Sequence, residues 1–256
     1  MLKKILMGAA ILATSSFATY SQFPVPEAHK GEAKIVGEFS MQDKWKGLDI
    51  SVKGRFVPAQ NLELWLNLPF AVVTRWDGKD TDDERLKNMT FGGRYQIIPT
   101  VAAFLDVTFP TGRKYKDGDD FSFYFGGQYS QDFGAIALGT ELGLSLSTEG
   151  DDKYRSPMEM TLIAELDPNV SPVVSPYVGL SLKILLSDPK VDGHKSGDTS
   201  GDVGIFPYAG ANIKLSPMLS LDFNVTIGLG KDYLRYSCEG NDKTSITLGA
   251  ALVANF

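Results

Sequence analysis

Hydrophobic and polar side chains alternate singly along most of this chain. From Leu219 to Leu229 the odd positions are all apolar, and the even ones are Ser220, Asp222, Asn224, Thr226 and Gly228. Residues Ile246 to Phe256 repeat the pattern. Successive side chains on a strand point to opposite faces, so each such segment predicts a strand with one apolar and one polar face. Twelve segments read this way: 32–42, 47–56, 62–73, 88–98, 101–110, 120–130, 134–147, 157–166, 173–187, 203–215, 219–231 and 243–256. Nearly all reach the roughly 9 to 11 residues that a tilted strand needs to cross a bilayer. An even count returns both termini to one side.

Such strands fit a soluble barrel with an apolar core or a membrane barrel with an apolar outside. The terminal Phe256, with an apolar residue at every second position before it, favours the second, because it looks like the C-terminal assembly signal of outer-membrane barrels. The expected fold is all-β, a 12-stranded antiparallel transmembrane barrel of the outer-membrane type. The expected surroundings are outer-membrane lipid and lipopolysaccharide, with the barrel-assembly machinery as a partner. The connections support the count. Short ones with turn residues (57–61, 99–100, 131–133, 167–172, 216–218) alternate with long polar ones (74–87, 111–119, 148–156, 188–202, 232–242). By the barrel rule the short set is periplasmic and the long set extracellular. Residues 43–46 are the exception, short where a long loop is expected. Pro69, Pro176 and Pro207 fall inside strands that need every backbone donor, which places them near the extracellular rim or at bulges. Aromatics gather at segment ends in two girdles: Trp45, Phe70, Trp76, Phe109, Phe121 and Tyr233 on the outer side, and Phe56, Tyr95, Tyr129, Phe133 and Phe256 on the periplasmic side.

Lys3 and Lys4, the apolar stretch Ile5 to Ala13, and the small residues Ser16 and Ala18 have the form of a secretory signal peptide. Residues 1–18 are read as that signal, with cleavage after Ala18 or a few residues beyond. Residues 19–31 are read as an N-terminal periplasmic segment too short for a plug domain, and 32–256 as the barrel in the cell outer membrane. The apolar stretch is too short to span a bilayer. Cys238 is the one cysteine, which excludes an intramolecular disulfide and leaves a loop thiol. The formal charge of −6 falls to −8 once Lys3 and Lys4 are removed, so nucleic acid is not an expected partner. A hydrophobic content of 43% would suit a soluble protein equally well, because lumen positions dilute the lipid-facing ones.

Taking the apolar face as outward assigns the inward charges. They are Lys34, Glu38, Asp49, Lys53, Arg55, Glu63, Arg94, Asp106, Glu141, Glu159, Glu165, Lys183, Lys214 and Asp222. Pairing Phe56 with Leu62 across the first short turn sets Arg55 opposite Glu63 and Lys53 opposite Trp65. Arg55, Glu63, Arg94, Glu165 and Lys214 share the periplasmic end and are expected to ring one level of the lumen, where such charges select ions. Their alternative role is a packed polar plug that stiffens the barrel. Twelve strands lie between the filled interior of eight and the open porins of 16 to 18, which predicts a narrow path.

No cofactor is expected. His29 precedes the barrel and His194 sits in the longest loop, so the serine and histidine pairing of a barrel hydrolase has no candidate within the strands. Asp77, Asp80, Asp82, Asp83 and Glu84 crowd one loop and could supply oxygen ligands to Ca²⁺, but their spacing departs from the EF-hand pattern and a solvated loop is the simpler reading.

Phe91, Gly92, Gly93, Arg94 and Tyr95, the turn at Pro99, the strand Val101 to Phe109, and then Pro110, Thr111 and Gly112 resemble a family of bacterial outer-membrane proteins. That family is linked to aromatic-hydrocarbon pathways, is named after phenol degradation and is described as transporters. The match is clear over about residues 88–147. The resemblance implies an outer-membrane barrel passing small molecules, aromatic or apolar among them. The expected function is a passive outer-membrane channel for small solutes, in a monomeric, non-enzymatic protein. The alternatives are a sealed structural or adhesive barrel with acidic loops and, less favoured, a lipid-modifying barrel enzyme.

Overall fold

The computed structural model describes residues 19–80, 85–113, 118–151, 153–230 and 244–256. Residues 1–18, read above as a signal peptide, and Cys238, Tyr233 and three of the acidic candidates, Asp82, Asp83 and Glu84, lie outside the described residues. Twelve long strands follow one another as β1 (Gly31–Gln42), β2 (Trp45–Ala59), β3 (Leu62–Trp76), β4 (Met89–Ile98), β5 (Val101–Phe109) and β6 (Ser122–Asp132), then β7 (Ile136–Ser147), β8 (Glu159–Pro168), β9 (Val174–Leu185), β10 (Val203–Lys214), β11 (Leu219–Gly230) and β12 (Ser245–Asn255). Each pairs antiparallel with its neighbours in sequence, and β1 pairs with β12 from Glu32↔Asn255 to Met41↔Ile246. That last ladder closes the sheet into a barrel without an edge, as a bilayer demands, because hydrocarbon offers no partner to an exposed backbone group. Phe256 extends the seam: its N–H donates to the Gly31 carbonyl at 3.0 Å and its own carbonyl accepts from Gly31 at 2.8 Å. The Phe256 ring lies against Gly31 where a Cβ would stand.

The faces fall as the alternation predicts. Ile35, Val52, Leu105, Leu142, Val178 and Leu252 are exposed on the outside, while Ser40, Gln96, Gln128, Thr161, Ser181 and Thr226 are buried inside. A soluble barrel would show the reverse. An apolar belt around every strand is far larger than the patches soluble proteins tolerate, so the belt faces lipid.

The register between β2 and β3 differs from the expected one. Arg55 pairs with Trp65 and Lys53 with Asn67, because both strands run on to Ala59 and Leu62 and leave only a two-residue turn. Asn61 takes the left-handed conformation this turn requires, at φ 68°, and a bulge between Phe56 and Ala59 absorbs Val57 and Pro58. The offset from expectation is two residues, so every side chain keeps its face. Arg55 still reaches Glu63 diagonally, at 3.2 Å.

Of the three strand prolines, Pro207 interrupts the β10–β11 ladder, which is unpaired between Ile205↔Leu229 and Tyr208↔Thr226. Pro69 lies just past the end of the β3–β4 ladder, where its carbonyl accepts from Lys87 N–H at 2.9 Å. Pro176 sits beyond the last β8–β9 pair, Leu166↔Val178, at the short-turn rim and not the extracellular one. At the long-loop end, Tyr154–Arg155, Lys190–Val191 and His194–Lys195 form a small separate sheet. Asp188 ties that loop together, held down to about 2 by its contact with Lys195 and by the backbone N–H groups of Ser200 and Thr199.

Two outcomes test this architecture. Leu221→Arg and Phe223→Arg should destabilise the barrel in chemical unfolding from lipid vesicles, by about 2 to 4 kcal/mol near the midplane and less toward the rim, whereas Asp222→Arg and Asn224→Arg should cost markedly less. Equal costs on the two faces would mean the barrel is inside out. Deleting Phe256, or replacing it with Asp, should deplete the heat-modifiable folded form in outer-membrane fractions, and undiminished folded protein would show that the seam closes without it.

Candidate functional site

Thr19 to Lys30 precede β1, and they do not lie outside the barrel as a periplasmic segment would. The chain enters the lumen at the short-turn rim, where His29 N–H donates to Val57 O at 2.7 Å, and runs inward so that Thr19 and Gln22 are each 4% exposed. It has no regular structure, so its carbonyls need donors from the wall. Arg94 supplies two of them. One guanidinium nitrogen donates to Ser21 O at 2.5 Å and Phe23 O at 2.6 Å, while the other meets Glu63 at 3.0 Å. Gln128 donates to Ser21 O at 2.9 Å, and Val25 N–H donates to the Gln96 side chain at 2.8 Å. Tyr20 donates its hydroxyl to Glu32 at 2.9 Å beneath Lys34 and Arg55, whose cations lie 4.2 and 4.9 Å from its ring centre. At the tip, the Thr19 hydroxyl donates to Glu141 at 2.5 Å.

This segment splits the candidate residues into two groups. Glu63, Arg94 and Glu141 point inward, but they are at most 2% exposed and serve as anchors beneath the segment. Arg55 is bound to both Glu32, at 2.8 Å, and Glu63. The expected ring of Arg55, Glu63, Arg94, Glu165 and Lys214 is therefore divided: the first three are engaged with one another or the segment, and Glu165 and Lys214 face open space. Of the remaining candidates, Lys53, Asp106, Glu159, Lys183 and Asp222 also line the cavity. Glu159 and Lys183 neutralise each other at 3.2 Å, as Asp49 and Lys87 do at 3.0 Å.

What remains open is a cavity of about 570 Å³. It touches Ser147, Ser156 and Leu185 toward the long loops and Ser216, Pro217 and Asn255 at the short-turn end, so it follows the barrel from rim to rim. Its wall on β1 and β12 carries one small aliphatic patch, Val36, Ala251 and Val253, set among Glu32, Lys34, Glu38 and Asn255. The wall from β8 to β11 carries two tyrosines with their hydroxyls tied back to carboxylates, Tyr208 to Glu165 at 2.7 Å and Tyr177 to Asp222 at 2.9 Å. Each ring lies flat over a glycine directly across the ladder, Tyr208 on Gly179 and Tyr177 on Gly210, where a Cβ would collide with it. Trp65 covers Gly92 in the same way and donates to Asp106 at 3.0 Å. Sequence reasoning missed this pairing, although the signal was present: an inward aromatic on one strand and an inward glycine on the next.

Among the described residues no group of three metal-ligating side chains converges. Asp80 accepts from Arg75 at 2.5 Å, and Asp77 forms a left-handed turn at φ 51°.

These features define a transmembrane β-barrel of the outer-membrane class, with a narrow cavity running its length. The chain belongs to the family described as "Putative MetA-pathway of phenol degradation", which matches over residues 33–233. Among solved structures, an outer membrane channel from Pseudomonas putida F1 superposes with a TM-score of 0.75 at 15% identity, covering 94% of this chain and 100% of that one. The NanC porin superposes with a TM-score of 0.54 at 8% identity, over 85% of this chain and 98% of its own. At such identities the likeness is one of fold. No curated protein matches the sequence.

Removing residues 20–24 should raise single-channel conductance while leaving the β-sheet circular dichroism and the heat-modifiable gel shift intact. Unchanged conductance would show that the segment does not narrow the path.

Proposed function

We propose that this protein is a passive outer-membrane channel for small solutes, with aromatic and apolar compounds among them. The observation that carries the reading is the rim-to-rim cavity beside the N-terminal segment. Its aliphatic patch, Val36, Ala251 and Val253, can meet an apolar ring, while the serines, carboxylates and Tyr177 around the rest of the wall keep the path wetted. The family's description and the channel fold of the structural neighbour support the reading. Folded protein in planar bilayers should give discrete ion steps, and vesicles carrying it should swell in small neutral aromatics. Failure of both would exclude a channel.

The N-terminal segment favours one competing reading, a sealed barrel whose lumen network serves rigidity; that protein would give neither steps nor swelling. A non-enzymatic role is supported by the histidines, since His29 and His194 are both exposed, one at the short-turn rim and the other in the longest loop. Export through a cleaved signal peptide and a monomeric state belong to the same proposal.

Ion selectivity should follow Glu165 and Asp222, which line open space and, among the described residues, are bound only to tyrosine hydroxyls. Glu165→Gln combined with Asp222→Asn should move the reversal potential under a salt gradient toward anion preference. Neutralising Arg55 and Arg94 should instead lower thermal stability, because it strips buried Glu63 of its cations. A reversal potential that moves only with the arginines would place the ion path under the segment.

A further inference from the structure

The carboxylates around the tip of the N-terminal segment outnumber the cations. Glu32, Glu63, Asp106 and Glu141 share this part of the lumen with Lys34, Arg55 and Arg94, and the pairings account for two of the acids. Arg55 joins Glu32 and Glu63, Arg94 joins Glu63, and Lys34 reaches Glu32 at 3.9 Å. Among the described residues, Glu141 is met only by neutral donors: Thr19, Tyr124 at 2.6 Å and Gln128 at 2.7 Å. Among them too, Asp106 accepts only from Trp65, and its second oxygen, Oδ2, is buried without a hydrogen-bond partner. Buried anions of this kind need a counter-charge or lose their ionisation.

The residue against Glu141 is Thr19, the position immediately after the small-residue pattern Ser16-Phe17-Ala18. We propose that hydrolysis of the Ala18–Thr19 amide during export supplies the missing cation. Water adds across that bond under a leader peptidase, the released leader keeps the Ala18 carboxylate, and Thr19 gains an α-ammonium. That nitrogen is three bonds from the hydroxyl already bound to Glu141. The new terminus is the counter-ion of the Glu141 and Asp106 pair and locks the segment in the lumen. Two independent features, a cleavage pattern in the sequence and a one-charge deficit in the lumen, meet at one residue. The inference rests on the fold and on the cleaved export signal proposed above, and it stands whether the barrel conducts or not.

The test uses full-length precursor expressed in a Gram-negative host and the protein recovered from its outer membranes. Its first residue by N-terminal sequencing should be Thr19. In the folded protein an amine-acetylating reagent should modify the exposed Lys44 and Lys46 readily and the Thr19 α-amine far more slowly, with all three reactive after heat unfolding. Glu141→Gln keeps the side chain's shape and removes its charge. It should speed acetylation of Thr19 by about tenfold, the scale of losing one charged hydrogen bond. Inserting one alanine between Thr19 and Tyr20 leaves the barrel sequence untouched but displaces the terminus, and it should have the same effect. A different first residue, a Thr19 amine as reactive as Lys44, or full protection in both variants would overturn the proposal.

Discussion

A backbone amide in hydrocarbon has no water to replace a missing partner, and the whole molecule is organised by that constraint. It requires a sheet with no edge, which the β1–β12 seam provides. Closure with period-two side chains then forces every second residue inward, and lipid on the outside leaves only the lumen for polar groups. Departures from regular pairing occur where the constraint relaxes. Pro176 and the bulge at Val57 and Pro58 sit near the short-turn rim, and Pro69 lies where β4 has already ended and a loop amide takes over. Pro207 leaves a gap within a ladder, and Val72 is bulged out between Leu48↔Val73 and Asp49↔Ala71.

The lumen meets the same problem from inside. An irregular segment brings carbonyls into a space with little water, and Arg94 answers by binding two of them along with Glu63. A guanidinium suits this task because its fixed fork of donors can satisfy several acceptors at once and cannot lose its charge. The charges beneath the segment therefore secure one wall of the path, while those opposite remain available to solute.

All twelve strands and the faces of their residues were legible in the sequence, because lipid outside and polar groups inside leave a strict alternation over ten residues or more. Register was less legible. Nothing in the composition of residues 57–61 distinguishes a five-residue turn from a bulge and a tight turn, although the two differ by two residues in pairing. The place of the N-terminal segment was not legible at all. Thr19 to Lys30 carry no periodicity, and most of the segment's hydrogen bonds to the wall act through main-chain groups, which every sequence possesses. Arg94, Glu63 and Glu141 could be assigned to the lumen by parity, but parity is silent on whether a side chain meets water or another stretch of chain.

The tyrosines resting on Gly179 and Gly210 have a consequence for how such a barrel can diverge. The clearance along that wall is set by atoms that are absent, since each ring occupies the volume a methyl would take. At Gly179 the three atoms nearest that position all belong to the far end of the Tyr208 ring, so an alanine there would push first on the phenol and not on the backbone. A lineage can thus resize the bore through a residue that no solute ever touches. A comparison of lining side chains alone would report two such relatives as identical.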